Sequence, residues 1–109
     1  MKEIKAIIRQ ERLPVVLHAL HAMVGLPGVT ISTVRGSGRR HPPEGTDRVF
    51  DDVDMTKLEI VVPAAMVADV VGAIERAAHT GRVGDGKIFV IPVEHAVKIR
   101  SGERDGGAL

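Results

Sequence analysis

Apolar and polar residues follow two rhythms along this chain. Over residues 2–9 (Lys-Glu-Ile-Lys-Ala-Ile-Ile-Arg), Ile4, Ala6 and Ile8 recur at every second position, which predicts a strand with one apolar face. From Leu13 the period lengthens. Leu13, Val16, Leu17, Leu20 and Val24 follow helical spacing, and Pro14 is tolerated in a first turn, where a backbone N–H has no partner to lose. Gly25 and Pro27-Gly28 end that helix, and Val29-Thr30-Ile31-Ser32-Thr33-Val34 is β-branched at nearly every position, which predicts a second strand. Lys57–Val62 alternates again up to Pro63. Residues 64–79 then carry Met66, Val67, Val70, Val71, Ile74 and Ala78 on one helical stripe. Ile88–Val93 makes a fourth strand, and the polar tail over residues 101–109 is expected to fray.

The order β-α-β-β-α-β is the ferredoxin-like pattern, an α+β fold in which two helices cover one face of a four-stranded antiparallel sheet. Period-two alternation forbids Ile7, Val34, Val61, Phe89, Ile91 and Val93 from all joining the helix-covered face. The surplus apolar surface therefore predicts a symmetric oligomer. Residues 36–54 (Gly-Ser-Gly-Arg-Arg-His-Pro-Pro-Glu-Gly-Thr-Asp-Arg-Val-Phe-Asp-Asp-Val-Asp) hold no period, and Pro42-Pro43 interrupts any regular element. A connection of that length inside a compact domain marks a functional or mobile segment.

Composition narrows the field of functions. With 109 residues the chain makes one domain, and 44% apolar against 27% charged residues is a globular balance. Fifteen Lys and Arg against fourteen Asp and Glu leave a charge of +1, too little to drive binding to a polyanion. Phe50 and Phe89 are the only aromatic residues, so the stacking platform of a single-strand nucleic-acid binder is missing and no nucleic-acid partner is expected. The absence of cysteine excludes disulfides, thiolate metal sites and a cysteine nucleophile. No segment reads as a signal peptide or a membrane span, so a cytoplasmic protein without direct membrane insertion is expected.

Two glycine-basic loops carry the candidate chemistry: Gly36-Ser37-Gly38-Arg39-Arg40 after the second strand, and Gly81-Arg82-Val83-Gly84-Asp85-Gly86-Lys87 before the fourth. Glycines let backbone N–H groups approach an anion, and Arg or Lys neutralises it. Lys98 and Arg100 add a third basic pair. Neither loop matches GxxxxGK[ST], and tight turns bearing solvated charges would look the same. His18 and His21 stand three apart on the first helix, and His41 with Asp47, Asp51, Asp52 and Asp54 could gather ligands for a divalent cation. Ordinary surface residues explain both sets, and no metal site is assigned. No nucleophile elbow, HExxH or paired-acid site occurs, and no catalytic residue is assigned. The enzymatic alternative is a small phosphate-ester or acyl-phosphate hydrolase, with Arg39 or Arg40 on phosphate and Asp85 orienting water.

Thr80–Val90 (TGRVGDGKIFV) resembles the C-terminal signature of the nitrogen regulatory protein PII family. Met1–Ile8, Thr33–Arg39, Lys57–Pro63 and Pro92–Glu103 resemble the same family in the same order. The resemblance implies a homotrimer of ferredoxin-like subunits, a sensor rather than an enzyme, that binds adenine nucleotides (ATP, ADP or AMP) in the clefts between neighbours. It places Thr30 and Val61 near the adenine. Gly36, Gly38, Arg39, Gly84, Asp85, Gly86 and Lys87 line the phosphate path, and Lys98 and Arg100 of a neighbouring subunit complete it. A T-loop over about residues 37–56 would engage a target protein, either a transporter or an enzyme, and residues 80–87 would form the B-loop.

The departures bear on the effector. Arg40 occupies the position where the family usually has a Gln that helps hold Mg·ATP and 2-oxoglutarate. A cation there repels Mg²⁺ and attracts an anion such as bicarbonate, another carboxylate or a nucleotide phosphate. The chain has no Tyr, which excludes uridylylation of a loop tyrosine, and the segment between Arg39 and Lys57 is shorter than usual. Lys98 replaces the more common Arg, keeping the charge without the planar fork. These features imply an atypical member acting on a transporter or an inorganic-carbon system.

Overall fold

The computed structural model describes residues 1–40 and 49–109. Strand β1 (Lys2–Ile8) is followed by a 3₁₀ turn (Gln10–Arg12) and helix α1 (Leu13–His21). Strands β2 (Thr30–Arg40) and β3 (Val49–Val62) come next, then a second 3₁₀ turn (Ala64–Met66), helix α2 (Val67–Ala78) and strand β4 (Gly86–Pro92). The strands form one antiparallel sheet in the order β2-β3-β1-β4. This is the ferredoxin-like arrangement the pattern predicts.

Cross-strand partners share a face of the sheet, so the register sorts every strand residue. Ile4 lies opposite Ile60 and Val90, and Ala6 lies opposite Leu58 and Ile88. With Ile8 and Val62 these make the face that meets Val16 and Leu20 of α1 and Val70, Ile74, Ala77 and Ala78 of α2. Each large side chain withdrawn there contributes roughly 1.5–3 kcal/mol. The other face carries Glu3, Lys5 and Ile7 of β1 beside Lys57, Glu59 and Val61 of β3. On its flanks stand Val34 of β2 and Lys87, Phe89 and Ile91 of β4. Among the described residues no helix covers this face, and Phe89 remains 46% exposed.

Three expectations are corrected. The first helix stops at His21, and Val24 lies beyond it at 97% exposure, because Gly25 turns the chain with φ of +78°. Residues 36–54 are not free of regular structure: β2 runs to Arg40 and β3 begins at Val49, in an unbroken ladder from Thr30↔Glu59 to Arg40↔Val49. The tail is not frayed. Lys98 N–H donates to the Glu103 carbonyl at 2.8 Å and Asp105 N–H to the Ala96 carbonyl at 2.7 Å, while Val97 and Arg104 form an isolated bridge. Residues 96–105 thus close on themselves as a hook, and a short 3₁₀ turn (Asp105–Ala108) ends the fold.

Candidate functional site

The α2–β4 connection is built around one carboxylate. Asp85 Oδ2 accepts from the backbone N–H groups of Thr80 (2.8 Å) and Gly81 (2.9 Å). Its Oδ1 accepts from Arg9 Nε at 2.9 Å and from the Thr80 hydroxyl. The Thr80 hydroxyl, the Arg9 guanidinium and the two backbone donors hold this carboxyl far below the usual carboxylate range, so it is an anion at any physiological pH. Arg9 Nη2 also donates to the Val83 carbonyl at 2.7 Å. One residue later Gly86 (φ +96°) enters the ladder opposite Ile8, where a Cβ would stand 1.7 Å from the Ile7 carbonyl oxygen, so only glycine can start β4 here.

Lys87, next in the chain, lies on the uncovered face. The register sets it in one row with Ile7, Lys57 and Ser32. Lys57 pairs with Glu59 at 3.3 Å. Glu59 also shares a hydrogen bond with Glu3, which raises the Glu3 carboxyl and lowers that of Glu59. Lys57 also favours the Glu59 carboxylate. Thr30 stands opposite Glu59 and is a diagonal neighbour of Val61 on the same face. From the Val61 row to the Lys87 row is four residues along β1, about 13 Å. Gly36 and Gly38 continue the face outward along β2.

The structure therefore brings Thr30, Val61, Gly36, Gly38 and Lys87 to one surface, with Gly84 and Gly86 beside Lys87 at its edge. Arg39 and Arg40 end the described part of β2, opposite Phe50 and Val49. Lys98 and Arg100 lie in the C-terminal hook beyond β4. Asp85 is placed differently from a ligand-facing residue, since its carboxylate is directed into its own loop. It is equally unsuited to orient a hydrolytic water, because four donors already occupy it. The sequence reading missed Arg9, whose partners lie more than seventy positions away, and did not single out Lys57 or Glu59. His41 and Asp47 lie outside the described residues, and among the described ones no group of three His, Asp or Glu is gathered as a metal site would need. A cleft of about 360 Å³ opens on the helix side of the loop, bordered by Val71, Glu75, His79, Asp85 and Lys87.

Residues 1–103 match the sequence profile of the family described as nitrogen regulatory protein P-II. The chain belongs to that family. It is 45% identical over 113 aligned residues to a nitrogen regulatory protein P-II of Azospirillum brasilense, and 43% identical to nitrogen regulatory protein P-II 1 of Escherichia coli K12. Both comparisons cover 100% of each chain. Among solved structures it is similar to Arabidopsis thaliana PII bound to citrate, with a TM-score of 0.83 and 40% identity over 99% of this chain and 91% of that one. PII proteins are signalling proteins rather than enzymes. They are trimers that engage target proteins and take ATP or ADP as effectors. Among the described residues no helix is long and apolar enough to cross a membrane.

Proposed function

We propose that this PII-family chain is a cytoplasmic signalling protein that binds an adenine nucleotide on the uncovered sheet face, at a cleft between copies in a homotrimer. Thr30 and Val61 receive the adenine. The phosphates run toward Gly36, Gly38, Arg39 and Arg40 on one side and Gly84, Gly86 and Lys87 on the other. Lys98 and Arg100 of a neighbouring copy complete the cation set. The observation that supports this reading is the register, which sets Lys87, the residue that follows the ordered loop at 80–86, on the same sheet face as Thr30 and Val61. Its glycines allow close backbone approach, and the row-to-row distance of about 13 Å suits a base at one end and phosphates at the other.

Residues 37–56 are the contact for a target protein, a transporter or an element of an inorganic-carbon system. Arg40 favours an anionic second effector, bicarbonate or another carboxylate, over Mg²⁺. Calorimetric titration with AMP, ADP and ATP, with and without Mg²⁺, bicarbonate and 2-oxoglutarate, tests the reading. Micromolar affinity for at least one nucleotide, insensitive to 2-oxoglutarate, is expected. Failure of all three nucleotides to bind would overturn it. A trimer by sedimentation is expected, and a monomer at micromolar concentration would remove the shared cleft.

A further inference from the structure

We propose that Arg9 is a positioning residue that holds the 80–86 loop in its anion-accepting shape before any ligand arrives. The ladder explains how it comes to be there. Ile8 is the last residue of β1 and lies opposite Gly86, so the next residue on each strand, Arg9 and Asp85, emerge side by side. The Arg9 side chain is 19% exposed and its donors diverge. Nε goes to the Asp85 carboxylate at 2.9 Å, and Nη2 goes to the Val83 carbonyl at 2.7 Å. A lysine presents its donors from a single nitrogen and lacks the planar fork that serves two separate acceptors. Arg9 thereby ties the side chain that organises Thr80 and Gly81 to the backbone turn that precedes Gly84.

Such a tie is needed because the loop turns on Gly81, Gly84 and Gly86, all at positive φ, and glycine loses the most backbone freedom on ordering. Gly84 is fitted to the tie as well, since a Cβ there would lie 3.4 Å from Arg9 Nη2. The same short turn grips the other end of the connection: Arg12 donates from Nε (3.0 Å) and Nη2 (2.6 Å) to the Ala77 carbonyl in the last turn of α2. Arg12 anchors the start of the connection and Arg9 its finish. With two donors committed to the loop and Nη1 directed toward Glu11 at 3.9 Å, Arg9 acts on a ligand through the loop rather than by touching it.

The effect on nucleotide affinity rests on the function proposed above, so the test has one arm that needs no nucleotide. In ligand-free protein, Arg9→Ala is expected to speed amide exchange at Thr80 and Gly81 about tenfold or more, leaving core amides of β1 and α2 unchanged. In the second arm, Arg9→Ala weakens ADP binding about tenfold or more, Arg9→Lys recovers only part, and methylguanidinium added to Arg9→Ala restores affinity. Unchanged loop exchange in Arg9→Ala, or exchange raised equally at every amide, would overturn the proposal. Wild-type protein that binds no adenine nucleotide would overturn the nucleotide reading alone, the exchange arm still deciding the role of Arg9.

Discussion

Strands β2 and β3 are one continuous ladder with two different halves. Between Thr56 and Val62, β3 is also paired with β1 and its inward residues Leu58, Ile60 and Val62 are buried under the helices. From Val49 to Met55, among the described residues, its strand partner is β2 alone. There Asp52 and Asp54 are exposed, as are Gly36, Ser37 and Gly38 opposite, and Val53 is half exposed. The backbone hydrogen-bond pattern is the same in both halves, yet only the inner half is supported by burial. A two-stranded ribbon without a packed face is marginal by itself, so the outer half depends on the inner half as its anchor.

Matched substitutions along β3 can break this contrast. Ile60→Ala should cost about 2–5 kcal/mol in denaturant unfolding, since it opens a cavity in the core. A loss below about 1 kcal/mol would mean the helices do not pack as described. Next comes the acid limb. Asp85 is held below its ordinary range, so its contribution is whole at neutral pH and disappears as pH falls below about 3.9, the value of a free aspartate. Asp85→Asn should therefore be less stable than wild type at pH 7, and the two stability curves should converge on acidification. Curves that stay parallel would show the carboxylate bonds to be unimportant. Val53→Ala, the outer counterpart of Ile60→Ala, should cost less than about 1 kcal/mol, since its side chain has little to leave. Smallest of all is Arg35→Ala: its 3.7 Å pair with Asp54 is well exposed and contributes no more than about 0.5 kcal/mol.

The same contrast explains what could be read from the sequence. Alternation is legible only where one face is buried and the other is not. Ile4-Ala6-Ile8 and Leu58-Ile60-Val62 therefore announced their strands, whereas Gly36–Arg40 and Val49–Asp54 did not. In the outer half Gly36, Ser37, Gly38 and three aspartates interrupt Val49, Phe50 and Val53, and these poor strand formers are held in place by register propagated from within. The hook at 96–105 escaped for a related reason, because backbone hydrogen bonds leave no hydrophobic signature. At the site, composition disclosed the glycines and cations. The direction of the Asp85 carboxylate and the role of Arg9 depend on partners distant in sequence, which spacing cannot report.

The Arg40↔Val49 pair has a consequence for protein engineering. It fixes the two ends of the intervening stretch at the spacing of neighbouring strands, whatever residues lie between them. A foreign peptide spliced in place of residues 41–48 would start and finish on strands already in register, without altering a residue of the core. The fold is thus a display scaffold, with its insertion point at the end of a ladder and each assembled copy presenting one graft.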